Sequence, residues 1–494
     1  SQLGQSGSRQ SNRHPEQLFE TLCPSCDSPT MSSFGNNSPL KRTFSANDTA
    51  NWPLVVTSCY TRFDNLAHGP RGTEAKTSMS VHRLCPSDGS LTALFKGEDQ
   101  VTNPAFLRWH PSVNILYGCT EDVKENGQII AWSVDPETGF LTKIDCADAQ
   151  GTSTCFLTLD HEVRNMLVVN YWDATIGVLP LNEDGTFAAS KLTFVYDPKA
   201  GKGMQVSADK HVNHSENGLA AQAERQKDPH SHAIVLDPYF GCVAYVPDLG
   251  KDVIRELHYS NGRLEPITCA PSGLKANGPE GPRYIEFHSN LPVAYVVNEL
   301  SSEVAVFVVD REALKSIARK GLGQSERKST LTYVQAVSTV PPQWLRSQNT
   351  CGRIAIHPSG RFVLCSNRGH DSVAVFRVET EAEIPGMLSQ VGIFHTVGMT
   401  PRHFKFDPSG QWLLAANQDS NCLAAFRFNL ASGEMKYTKM QVSVQSPNFV
   451  ACFQPHMKPE LDGVAGNLEE AKQKMSPTKK FRGGSEALSV WPCM

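Results

Sequence analysis

Most of the clustered ionisable side chains of this sequence fall six residues before, or ten residues after, a small turn that recurs along the chain. With Pro111, His161, Pro238, Ser289, Pro358 and Pro408 as landmarks, the first position reads Ala105, Cys155, His232, Arg283, Gly352 and Arg402. The second reads Glu121, Tyr171, Asp248, Glu299, Arg368 and Gln418. A histidine, three arginines, two glutamates and an aspartate thus share two positions of one frame. Imidazole and carboxylate groups move protons, and guanidinium groups hold an oxyanion, a phosphate or a carboxylate through paired hydrogen bonds. Gathered in one place, they would serve a proton transfer beside a developing negative charge.

The frame itself is a pattern of hairpins. "IAIHPSGRFVLCSNRGHDSVAVFRV" and "FKFDPSGQWLLAANQDSNCLAAFRF" are near copies, and "WHPSVNILYGCTE", "LDHEVRNMLVVNY", "LDPYFGCVAYVPD" and "FHSNLPVAYVVNE" repeat the same plan. Each is an apolar run, a polar turn, a second run rich in Val, Leu and Tyr, then a further strand. The landmarks lie about 50 residues apart, with insertions near 195 to 230 and 311 to 345. Units of this length with three or four strands cannot bury both faces alone and must stack in a ring. Six units are counted in this way. A seventh is assembled from "LVVTSCYTRF" and "SMSVHRL" near the start of the chain and "SPNFVACF" near its end. The predicted fold is all-β, a seven-bladed β-propeller whose ring is closed by strands from both chain ends, which hides edges that would otherwise pair with other chains. Antiparallel hairpins double back, so both special positions face one mouth of the ring.

Residues 1–50 are rich in Ser, Asn, Gln and Pro and are expected to be a disordered extension, residues 51–456 the propeller, and residues 457–494 a polar tail. The tails are free to contact an unknown protein partner. A net charge of −4 and a charged fraction of 19% give no basic surface for nucleic acid and no polybasic stretch for a membrane. No apolar run is long enough to span a bilayer and none reads as a secretory signal. The 14 cysteines lie mostly in strand-like apolar runs, as reduced thiols do in the cytoplasm. No metal or other cofactor is expected: Cys23 and Cys26 form half a zinc motif without a second pair, and His211 and His214 sit in an insertion without a carboxylate partner. "GKGMQ" near residue 201 lacks phosphate-loop spacing, and no GxSxG elbow occurs.

The segments "RQKDPHSHAIVLDP", "YVPDLGKDV", "GPRYIEFH", "YVVNELSSEVAVF", "SNRGHDSVAVF" and "TPRHFKFDPSGQWLLAANQDS", in this order between about residues 53 and 455, resemble the lactonase family of seven-bladed propellers. That family includes propeller-type 6-phosphogluconolactonases and carboxy-cis,cis-muconate cyclases. The resemblance implies an active-site set of His232, Arg283, Glu299 and Arg368, all four within the two positions above. It also matches Arg225 and His230, which with Asp248, Arg402 and Gln418 form the expected substrate-binding group. The family commonly has an acidic and a basic residue where this chain has Arg353 and Ala355, which exchanges a carboxylate for a cation near the expected mouth.

Opening a lactone needs a base to activate water, here Glu299 or His232, and positive charge at the carbonyl oxygen, here Arg283 and Arg368. The expected activity is hydrolysis of 6-phosphogluconolactone or a related sugar lactone, on a small anionic substrate. Cyclisation of a carboxymuconate calls on the same groups, and a non-catalytic interaction scaffold is the other class compatible with the added tails. Replacing Glu299 by Gln is expected to abolish turnover and leave melting unchanged.

Overall fold

The computed structural model describes residues 49, 51–96, 101–199, 225–275, 278–322 and 327–456. The two extensions, Cys23 and Cys26, and His211 and His214 lie outside the described residues. Twenty-eight strands are numbered along the chain from β1 (Leu54–Cys59) to β28 (Pro447–Phe453), and they form seven antiparallel sheets of four. Six blades are consecutive in sequence. The seventh has the order β28-β1-β2-β3, with Leu54 opposite Phe453 and Val56 opposite Ala451. The C-terminal strand is therefore the innermost strand of a blade whose other three come from the beginning of the ring, as the repeat pattern predicts.

Five of the seven second strands are buried along their whole length, for example Val293–Asn298 and Trp412–Asn417, and the other two are buried except for one half-buried end residue each, Asn165 and Arg368. A blade is covered on both faces by its neighbours, so these strands read as continuous apolar runs instead of alternating ones. The polar residue just before each landmark holds the turn. His110 Nδ1 accepts the amides of Ser112 and Val113, and Asp237 accepts those of Tyr239 and Phe240. In the insertion at 311–345 the chain forms a helix, α1 (Arg311–Lys320), before the outer strand Leu331–Ser338. Asp310 caps it by accepting the amide of Ala313.

Four inner strands begin with proline: β4 (Pro104–Trp109), β16 (Pro282–Phe287), β24 (Pro401–Phe406) and β28. Proline is tolerated at a first strand position because no ladder donor is lost there. Immediately after it the register slips, between Pro104 and Phe106, Pro282 and Tyr284, and Pro401 and His403. The same slip occurs between Thr154 and Phe156 in β8 (Thr154–Leu159) and between Cys351 and Ile354 in β20 (Thr350–Ile356). A bulge bends the strand and re-aims the extra side chain. The bulged residues are Ala105, Cys155, Arg283, Arg402 and the pair Gly352–Arg353, which include the position six before five of the six landmarks; the sixth, His232, precedes a short strand that pairs without a slip.

Candidate active site

The bulges turn their side chains to one mouth of the ring, where the ends of the second strands bring the partner position. Ala105, Glu121, Cys155, His232, Arg283 and Arg402 line one enclosed space of about 10 Å³ there, room for a single water. Gly352 fits the crowding: a Cβ there would stand 2.6 Å from Ser366 Oγ and 2.9 Å from the Arg402 carbonyl, while its own carbonyl accepts from Arg283 Nε at 3.1 Å.

Glu299 is the centre of charge. Its side chain is 2% exposed and meets three guanidinium groups: Arg225 at 2.7 Å on Oε1, and Arg283 at 3.1 Å and Arg368 at 3.0 Å on Oε2. Burial by itself would raise the Glu299 pKa. Arg225, Arg368 and Arg283 outweigh it and hold the carboxyl well below the usual range. Such a carboxylate is a weak base, and both of its oxygens are occupied. His232 lies beside it and shares a hydrogen bond with Arg283 through Nε2, while Cys155 Sγ stands 3.8 Å from Nδ1. Burial first, then Arg283, keep His232 neutral, with its pKa well below the usual imidazole value. Arg368 also donates to the Cys351 carbonyl at 2.7 Å. Burial, set against Glu299 and reinforced by the other three arginines, brings it down to about 10, so it is the least compensated cation of the group.

Of the other expected residues, Arg225 and Arg402 join this cluster. Arg225 Nε donates to Tyr171 Oη at 3.1 Å, and Arg402 lies 3.6 Å from Glu121 and over the Tyr60 ring. His230 supports from behind, stacked on Tyr171 at 4.8 Å, and burial lowers it to about 4. Gln418 is buried and donates to Asp419 at 3.0 Å. Asp248 does not join them. It is fully buried, accepts the amides of His230 and Gly250, and pairs with Arg255 Nε at 3.0 Å, so it braces its own blade. Arg353 also departs from expectation: it pairs with Glu286 at 2.6 Å, so its charge is balanced away from the cluster.

Glu121 is a second mouth carboxylate that the frame contained but that was not singled out. Tyr60 Oη donates to it at 2.6 Å, and His68 Nδ1 lies 3.8 Å away. Tyr60 follows β1 as Glu121 follows the second strand of its blade. Asn448 is the second residue of β28, as Ala105 is of β4, and it lines the same space. Extending the frame to the split blade would have found both. Three buried polar atoms of the mouth, Arg368 Nε, His68 Nε2 and Gln418 Oε1, make no hydrogen bond of ordinary geometry among the described residues, although the His68 and Gln418 side chains lie close enough to interact with each other. Buried polar atoms ordinarily have partners.

Comparison with known proteins agrees with this architecture. A 6-phosphogluconolactonase of Bacillus subtilis (strain 168) is 30% identical over 348 residues, covering 70% of this chain and 86% of that protein. A 6-phosphogluconolactonase of Formosa agariphila is 26% identical over 386 residues, 77% of this chain and 97% of that protein. Among solved structures, the Pseudomonas aeruginosa periplasmic gluconolactonase superposes with a TM-score of 0.63 at 24% identity, covering 82% of this chain and 99% of that one, which bears on the fold alone. No helix among the described residues is long and apolar enough to cross a membrane. The family described as "Lactonase, 7-bladed beta-propeller" matches residues 56–452, and the chain belongs to it.

Proposed function

We propose that the protein hydrolyses a sugar lactone bearing an anionic group, with 6-phosphogluconolactone as the preferred substrate. The observation that carries this reading is the charge count of the mouth: four guanidinium groups, Arg225, Arg283, Arg368 and Arg402, face two carboxylates, Glu121 and Glu299. The excess suits a phosphate, and buried guanidinium groups bind one in two-point geometry. The similarity to 6-phosphogluconolactonases supports the same reading.

In this mechanism Glu299 is an anchor that aims three arginines, not the base. His232 is the base, neutral near pH 7 and already desolvated. Its Nε2 is engaged by Arg283 in the ligand-free site, and a sugar lactone needs far more room than the enclosed space offers. Substrate therefore draws Arg283 off the imidazole and onto the lactone carbonyl. That single movement frees the lone pair that takes a proton from water and places positive charge where the oxyanion forms. Arg368 and Arg402 hold the phosphate. The described cysteines are all free thiols, nine of them buried, which supports a cytoplasmic setting.

The test is turnover of 6-phosphogluconolactone by the purified protein, with gluconolactone and a carboxymuconate as comparisons. A preference of about tenfold or more in kcat/KM for the phosphorylated lactone is expected from one retained charged contact. Equal rates on the two lactones would remove the phosphate assignment. Turnover of the muconate alone would replace hydrolysis by cyclisation, and no turnover of any of them would leave a scaffold.

A further inference from the structure

The two mouth carboxylates come from different blades and keep different company. Glu299 is enclosed by three guanidinium groups, and both of its oxygens are engaged. Glu121 directly follows the strand Ile115–Thr120, and its amide donates to the Asn103 carbonyl at 2.9 Å, which fixes the backbone that carries the side chain. Its Oε2 is held: Tyr60 Oη donates to it at 2.6 Å, and Arg402 Nη2 lies 3.6 Å away. Its Oε1 is open. The basic group closest to that oxygen, His68 Nδ1, stands at 3.8 Å, too far for a hydrogen bond, and no donor among the described residues reaches it.

A carboxylate offers acceptors only, so this one is fixed at one oxygen and unanswered at the other. Its side chain is 7% exposed and lines the same enclosed space as His232 and Arg283. Leaving a buried acceptor without a donor costs about 1–3 kcal/mol. His68 does not make up the loss by charge, because burial first, then Arg402 and Arg368, keep its imidazole neutral. We propose that Glu121 Oε1 accepts a hydrogen bond from a hydroxyl of the substrate, an inference that rests on the lactone reading above and makes hydroxylated sugar lactones, not plain lactones, the preferred class.

Chemistry selects a hydroxyl as the donor. Ionised phosphate and carboxylate groups and a lactone carbonyl bring lone pairs without a proton, which a carboxylate cannot accept. A cationic ligand would meet the four arginines of the same mouth, which repel it. A neutral O–H remains, and one hydroxyl replaces one water in a space of about 10 Å³. The mouth is thereby divided: the guanidinium groups serve an anion and a carbonyl, and Glu121, braced by Tyr60, reads a hydroxyl. A site built to hydrogen-bond a hydroxyl rejects the analogue that lacks it, because the buried group is then left unpaired.

The test uses the full chain, Glu121→Ala, which removes the acceptor, and Glu121→Asp, which keeps the charge beside Arg402 but withdraws the oxygen by one methylene. Calorimetry compares 6-phosphogluconate with 6-phosphohexanoate, the same chain and charges without hydroxyls. Wild type should prefer the hydroxylated compound by about tenfold or more, the worth of one hydrogen bond to a charged group, and both variants should lose that preference. In turnover, kcat/KM on gluconolactone should fall about tenfold or more relative to that on δ-valerolactone, a ratio that does not depend on how much of a variant is folded. If no lactone is hydrolysed, the enzymatic reading falls and calorimetry alone decides the hydroxyl site. Wild type showing no preference, including no binding of either compound, overturns the proposal. So does a preference, or a turnover ratio, that survives in both variants.

Discussion

The charged groups at the mouth and those farther along the inner strands are arranged in opposite ways. At the mouth four guanidinium groups share two carboxylates, and Glu299 alone holds three of them. Farther along, Glu286 is held by Arg353 at 2.6 Å, and on the next inner strand burial first, then Arg353 and Arg108, bring Lys405 down to about 8. The mouth is therefore a clamped network in which a ligand must compete for partners that are already engaged. The Arg353–Glu286 contact is a single pair that joins two blades. A shared carboxylate thus gives a region suited to rearranging during a reaction, and a simple pair one suited to bracing the ring.

Glu299→Gln should break the mouth most severely. Removing the shared carboxylate leaves three buried guanidinium groups uncompensated, a change that costs about 3–5 kcal/mol. The isosteric size of Gln alone suggested an unchanged melt; the clamp reverses that expectation. Chemical denaturation should show the loss, and kcat/KM should fall at least about a hundredfold as the arginines lose their aim. A variant with wild-type stability would show that the three contacts contribute nothing.

Acid should act next, through different residues. His68, His230, His232 and His403 are all held neutral by burial, His230 down to about 4 and the others well below the usual value. Unfolding lets each take up a proton once the pH is below about 6.5. Stability is then complete above that pH and falls as pH drops toward 4, by about 1.4 kcal/mol per pH unit for each proton gained on unfolding. Glu299, whose pKa is depressed, loses its partners only below the ordinary carboxylate range, so Glu299→Gln should leave the slope between pH 6.5 and 4 intact. Unfolding free energies measured across that window decide the point.

Arg283→Lys should keep the fold and lower kcat/KM by about tenfold or more, because an ammonium cannot serve Glu299, the Gly352 carbonyl and a lactone oxygen with one planar fork. Steady-state rates beside a melting curve test it. The smallest effect belongs to Ala355→Glu, which would add a second carboxylate near Arg353, two residues away on the same strand, and Lys405 on the next inner strand. A gain of about 1 kcal/mol is expected from one partly exposed pair, with melting raised by about 1 °C for a domain of this size. A lowered melting point would mean that the excess charge there is already answered.

The repeat made the ring, the split blade and the shared mouth legible, because hairpin periodicity is written in every strand and the landmark turn fixes the register. It did not reveal the bulges, since a one-residue slip leaves the apolar pattern on either side intact, as around Arg283 between Pro282 and Tyr284. Side-chain partners were also hidden. Asp248 and Glu299 occupy equivalent positions, yet the local Arg255 claims the first and arginines distant in sequence claim the second. The assignment of Arg353 to the mouth failed for the same reason: its carboxylate partner comes from another blade.

The pairing of Leu54 with Phe453 has a consequence for synthesis. The ribosome makes the two partners 399 residues apart, and at ~5–20 residues per second about 20 to 80 s separate them. Through that interval β1 carries an unclaimed edge of apolar residues, and the mouth lacks Asn448 and its neighbours. The nascent chain therefore spends most of its making as an open arc with one adhesive end, and translation speed and chaperone access, more than the stability of the finished ring, set how many copies close.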